Sequence, residues 1–197
     1  MVEDEKELVE KVINGDQDAI KQLIEDYQRL VASIVWKMTY NEFDREDLCQ
    51  EIMIKVYKNI SKFRFQSKLS TWIGRISYNH CYNFLNKKKR MINFNALDHL
   101  DPDLIGHSIF VDDCKNSGKE IVEDNIEQIL LKCLDKLPPV YKLIINLYHF
   151  ENLSYNEIAE ITDMPMGTVK SYLYRGREKL KDILQSNYSR EEITSNT

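Results

Sequence analysis

The residues best suited to meet a polyanion lie between Ser154 and Lys181, in SYNEIAEITDMPMGTVKSYLYRGREKLK. Lys170, Ser171, Tyr174, Arg175 and Arg177 fall on one side of a helical register there. Val169, Leu173, Gly176 and Leu180 fall on the other. A helix that buries one stripe and turns Lys, Ser, Tyr and Arg outward suits a major groove: its cations meet phosphates and its short polar groups reach base edges. A shorter helix must precede it. Ser154 followed by Glu157 is a capping-box start, with Ile158, Ala159 and Ile161 on the apolar side. Met164, Pro165 and Gly167 break that helix, and Thr168 is placed to cap the next. A basic amphipathic helix is more often a solvated surface than a ligand site. The capped helix, the Pro/Gly turn and the basic second helix, at helix-turn-helix spacing, favour DNA.

A second set lies earlier, in STWIGRISYNHCYNFLNKKKR. Trp72, Ile76, Asn79 and Asn83 recur at helical spacing beside Arg75, and Phe63 and Phe65 stand in the preceding loop as exposed aromatics. The run Lys87, Lys88, Lys89, Arg90 follows. Rings that stack on bases, amides that read base edges and cations that track phosphate suit single-stranded DNA. Trp72 and Ile76 are also good core residues, and cations at a helix end are favoured by the dipole alone. A third set, Asp47, Gln50 and Glu51, shares one helix face. Spacing alone favours a solvated acidic face; the functional alternative is a docking patch for a basic surface.

No catalytic constellation accompanies these sets. GxxxxGK, HExxH and GxSxG are missing, and His80 and Cys81 point apart on a helix. Cys49, Cys81, Cys114 and Cys133 form no CxxC pair, which favours reduced thiols over a metal site. No apolar run approaches a membrane span, and the acidic amphipathic start is not a signal peptide. With only 6 Gly and 4 Pro in 197 residues, and long periodic segments, nearly all of the chain is expected to be helix. The net charge of −5 counts, as a total, against a nucleic-acid partner, but nine Asp and Glu against two Lys crowd into residues 93–127. Local patches decide binding, not the total.

The periodicity predicts helices over 3–13, 17–40 (capped by Asp16), 45–60 (capped by Asp44) and 70–91. These form a first domain, residues 1–92. An acidic linker follows over 93–119. A second domain spans 120–186, with helices to Leu137, from Val140 to His149, and the helix-turn-helix; residues 187–197 are a polar tail.

Together these stretches resemble the extracytoplasmic-function (ECF) group of bacterial sigma factors, within the sigma-70 family. DREDLCQEIMIKVYKNISKF resembles the polymerase-docking segment, and FRFQSKLSTWIGRISYNHCYNFL the minus-ten-reading segment. LPPVYKLIINLYHFENLSYNEIAEITDMPMGTVKSYLYRGREKL resembles the minus-thirty-five-reading domain. The likeness covers residues 8–92 and 126–184. It implies an all-α fold of two small helical domains, a four-helix sigma region 2 and a helix-turn-helix sigma region 4, joined by a flexible linker. It implies a cytoplasmic, non-catalytic specificity subunit without cofactor, metal or membrane insertion. The partners implied are core RNA polymerase (clamp helices and flap), promoter DNA in duplex and single-stranded form, and an anti-sigma factor. Asp47, Gln50 and Glu51 would dock on the clamp helices. Phe63 and Asn79 would line a pocket for a flipped base; Arg75, Asn83 and Lys87 to Arg90 would support the strand and its upstream duplex. Tyr155, Lys170, Ser171, Tyr174 and Arg175 would face the minus-thirty-five element, with Arg177 on phosphate.

Tyr172 departs from the family's usual Arg, and Gly176 from its usual Ala, although Gly weakens a helix interior by about 1 kcal/mol. The competing readings are a stand-alone helix-turn-helix regulator, whose first domain senses a ligand or dimerises, and a nucleic-acid enzyme, for which no nucleophile or metal set exists.

Overall fold

The computed structural model describes residues 2–39, 41–93 and 126–187, with side chains placed for 4–39, 41–87 and 128–186. The expected linker, the first residues of the fifth helix and the tail therefore lie outside the described residues, as do the side chains of Lys88, Lys89 and Arg90. The described residues form helices α1 (Val2–Ile13), α2 (Gln17–Met38), α3 (Glu42–Asn59) and α4 (Leu69–Asn93), then α5 (Ile126–Asp135), α6 (Pro139–His149), α7 (Tyr155–Thr162) and α8 (Met166–Asn187). A 3-10 turn, Ile60–Lys62, joins α3 to the loop before α4.

Local chemistry sets most of the boundaries. Gly15 takes φ +80, which opens the turn after α1, and Asp16 Oδ1 accepts from Ala19 N at 2.9 Å to cap α2. The cap of α3 is Asn41, not Asp44: its Oδ1 accepts from Phe43 N at 3.0 Å and from Asp44 N at 3.5 Å. Asn41 reaches the free N–H groups first, and Arg45 Nε donates to Thr39 O at 2.8 Å, fixing the chain reversal ahead of it. Pro139 opens α6, where its missing N–H costs nothing. The capping box on α7 is present in both halves, with Ser154 N donating to Glu157 Oε2 at 2.8 Å and Glu157 N to Ser154 Oγ at 3.3 Å. Thr168 does not cap α8. Asp163 turns the chain at φ 56, so α8 starts at Met166 and Thr168 sits within its first turn.

α2 is the central beam. Its buried stripe of Leu23, Leu30, Val31, Ile34, Val35 and Met38 packs against α1, α3 and α4, and also against α6. α6 is almost wholly enclosed: Leu143, Ile144, Ile145 and Leu147 are buried between α2, α7 and α8. Its buried Lys142 is satisfied by Asp135 O at 3.1 Å and Asp135 Oδ1 at 3.0 Å. Burial pushes the nearby Lys37 ammonium down from its ordinary value, against the pull of the Asp135 carboxylate.

The two helical groups expected to be loosely tethered share one continuous core in this structure. α7 lies along α4. At their crossing a Cβ on Gly74 would meet Ile161 Cδ1 at 2.8 Å, so the bare glycine sets the approach. Lys68 Nζ and Glu157 Oε1 close the edge of this seam at 2.9 Å. Burial raises the Glu157 carboxyl, but hydrogen bonds from Lys68 and Ser154, with the Lys68 charge, outweigh it and hold the group below its ordinary value.

Candidate nucleic-acid interface

Three faces carry the residues singled out by type and spacing. The first is on α4. Ile73, Ser77 and Cys81 point into the core, which forces Arg75, Asn79, Asn83 and Lys87 to solvent. Steps of four residues stack them along one stripe, about 18 Å long at 1.5 Å per residue. Beside the start of α4 stands an aromatic cluster. Phe63 lies 4.7 Å from Phe65 and 5.4 Å from Trp72, ring centre to ring centre. Phe63 is not the exposed ring expected of it: it is only 7% accessible. Its N–H donates to Ile60 O at 3.0 Å, and this tight turn rolls the ring inward onto Trp72. Phe65, at φ 54, is the ring turned outward, 41% accessible. Sequence reasoning placed both rings in the loop but had no signal to tell them apart.

The second face is on α3. Asp47, Gln50 and Glu51 are all exposed on the side opposite Leu48, Ile52 and Val56. Glu51 Oε2 is held by His80 Nε2 at 2.8 Å, which ties this face to α4. Phe43, 85% accessible, and the half-covered Ile54 and Tyr57 extend the same stripe at steps of three and four. The acidic patch is thus flanked by apolar side chains, a pattern that the search for charge alone missed.

The third face is on α8. Lys170, Ser171, Tyr174, Arg175 and Arg177 are exposed, while Val169, Leu173 and Gly176 are buried. Ser171 Oγ donates to Gly167 O at 2.9 Å, leaving its lone pairs outward. Lys170 Nζ stands 5.5 Å above the Tyr155 ring, and Arg177 Cζ 5.3 Å above Tyr148. The two tyrosines stack at 5.0 Å, and the adjacent Tyr148 phenol holds the Tyr155 phenol above its ordinary value. The departures at 172 and 176 both have packing reasons. Tyr172 is half-buried, edge-on to Tyr141 at 5.6 Å, and does not join the groove face. A Cβ on Gly176 would come 3.0 Å from Ile145 Cδ1 and 3.3 Å from Tyr141 Cβ, so glycine lets α8 close on α6.

Two faces of cations, amides and rings have the chemistry to meet nucleic acid, and one acidic-apolar face has the chemistry to meet a protein. Comparison with known proteins agrees. The family model for Sigma-70 region 2 matches residues 23–91, and that for Sigma-70, region 4 matches residues 127–180. The ECF RNA polymerase sigma-E factor of Escherichia coli K12 is 33% identical over 178 residues, covering 90% of this chain and 93% of that protein. The chain belongs to the ECF sigma factors. The sigma-E factor of Haemophilus influenzae is 36% identical over 181 residues, 90% of this chain and 94% of its own. Two solved structures share the fold. RpoE from Bartonella quintana, in complex with the anti-sigma factor NepR, has a TM-score of 0.62 at 21% identity, over 85% of this chain and 98% of its own. CnrH, in complex with the cytosolic domain of CnrY, has 0.61 at 17%, over 92% and 97%. As a sigma factor, the chain acts in transcription initiation. The region 2 match runs from within α2 to near the end of α4, and the region 4 match from α5 into α8. Among the described residues no helix is long and apolar enough to cross a membrane.

Proposed function

We propose a residue-level division of labour for this sigma factor. Residues 1–92 grip core RNA polymerase and capture the minus-ten strand, 93–119 connect, 120–186 read the minus-thirty-five duplex, and 187–197 form a polar tail. Asp47, Gln50 and Glu51 dock on the clamp helices of the polymerase, and the second unit meets its flap. Phe63 supports the base pocket from within rather than lining it, with Phe65 as the outward ring. Asn79 reads the extruded base. Arg75, Asn83, Lys87, Lys88, Lys89 and Arg90 hold the strand and its upstream duplex. Tyr155, Lys170, Ser171, Tyr174, Arg175 and Arg177 serve the upstream element. The subunit carries no chemistry of its own and works in the cytoplasm beside the polymerase. An anti-sigma factor is its expected antagonist, and RpoE of Bartonella quintana is solved in complex with one.

The observation that best supports this reading is the four-step stripe Arg75–Asn79–Asn83–Lys87, exposed beside the Phe63–Phe65–Trp72 cluster. Cations, amides and a ring in one line are what a stacked, phosphate-bearing single strand requires. The test is reconstituted transcription with core polymerase. Asp47→Ala with Gln50→Ala should abolish co-purification with polymerase, while Lys170→Ala should lower transcription without affecting it. Full polymerase binding by the double variant would overturn the docking assignment.

A further inference from the structure

His149 and Tyr148, at the end of α6, have no role in the reading above, yet they touch the cations that do. Arg177 Nη2 lies 2.9 Å and Arg177 Nε 3.2 Å from the same atom, His149 Nε2. A guanidinium only donates, so Nε2 must accept and the imidazole must be neutral, its proton on Nδ1. The contacts continue in one line across three helices. Arg177 covers Tyr148, Tyr148 stacks on Tyr155 of α7, and Lys170 covers Tyr155. Both ends of the stack are closed by cations of α8, seven residues apart, about 10 Å along the axis. The guanidinium spends two N–H groups on His149 and keeps three for a phosphate.

We propose that His149 and Tyr148 are positioning residues for the upstream-duplex face: with Tyr155 they form a ladder that fixes Arg177 and Lys170 at set spacing for two phosphates, and His149 does so only when neutral. The proposal rests on the assignment of α8 to the duplex. The titratable and charged groups against His149 are Arg177 from α8, Tyr148 from its own helix at 4.9 Å and, one ring further, Tyr155 from α7. A proton on Nε2 removes the acceptor and sets like charges together. Partial burial and the Arg177 charge hold the imidazole below its ordinary value, so the neutral form prevails near neutral pH. Because the folded value is depressed, the clamp is intact at and above the ordinary histidine value and is lost as pH falls through the lower folded one.

The test is duplex binding by the full chain, read by fluorescence anisotropy on a labelled minus-thirty-five duplex from a promoter that it serves. Wild-type affinity should fall about threefold or more between roughly pH 7.5 and pH 5.5, with no further cause needed than the lost clamp. His149→Gln keeps a neutral acceptor at every pH. It should bind like wild type at the upper pH and show a flat profile. His149→Phe should bind about threefold weaker throughout. Superimposed profiles for wild type and His149→Gln, or wild-type strength for His149→Phe, would overturn the proposal. Lys170→Ala separates the two ideas: undiminished duplex binding by that variant would remove the assignment of α8 itself.

Discussion

The two faces proposed for nucleic acid are built on opposite plans. On α8, Lys170 and Arg177 are propped by rings and an imidazole drawn from α6 and α7. On α4, Arg75, Asn79 and Asn83 make no hydrogen bond or ion pair with another described side chain. A regular duplex presents phosphates at fixed spacing, so a preset face gains by ordering its long side chains in advance. An extruded strand has no fixed form until it is captured, and side chains that still turn freely can follow it.

The largest effect that tests this contrast belongs to α4. Arg75→Ala with Asn79→Ala should lower open-complex formation about thirtyfold or more, since base-edge contacts are worth about 1–3 kcal/mol and a strand contact a similar amount. Permanganate reactivity of the minus-ten thymines measures it. Closed-complex formation should be nearly unchanged; equal loss of both would break the contrast. The propped face is tested next, by Gly176→Ala. Helix propensity alone promises about 1 kcal/mol of added stability. The new methyl group must press on Ile145 and Tyr141, and overpacking costs about 1–3 kcal/mol. Thermal unfolding should therefore show no gain, or a loss of up to about 2 kcal/mol. A clear rise in Tm would mean that α8 is seated more loosely than the ladder requires. The smallest effect belongs to the seam between the two groups. Glu157→Gln should cost under about 1 kcal/mol, because Lys68 is exposed and the pair is screened. The Glu157 carboxyl is held low, so its contribution is present above the ordinary carboxylate value and is lost as pH falls through the folded one. The Tm difference between variant and wild type should close in acid.

Much of this was legible in the chain. Asp16, Ser154 with Glu157, and the Pro138–Pro139 stop mark helix ends by local chemistry, and the structure has them there. The outward sides of α4 and α8 follow from helical period alone. What was not legible depends on partners far along the sequence. Asn41 and Asp44 are both good caps, and the choice between them rests on where the reversal before α3 is tied. Phe63 and Phe65 are the same residue type in one loop, separated only by the sign of φ at 65. Gly176 reads as a weak spot until Ile145 and Tyr141 are seen above it. Tyr148 and His149 read as the plain end of a buried helix. Gly74 and Ile161 each belong to a sensible local pattern, and nothing in either pattern says that they meet.

That meeting has a consequence for reach. The described residues, wrapped on one core, make a body with a radius of gyration of about 15 Å, so no two points on it are far beyond about 45 Å apart. Promoter elements named for positions minus ten and minus thirty-five stand about 25 base pairs apart, roughly 85 Å of duplex. If the two faces read those elements as proposed, a body closed at Gly74 does not straddle that gap, and the seam along α4 and α7 would have to part for both to touch one promoter. The chain between the two groups, residues 94–125, can span at most about 115 Å when drawn out, which is enough for that distance.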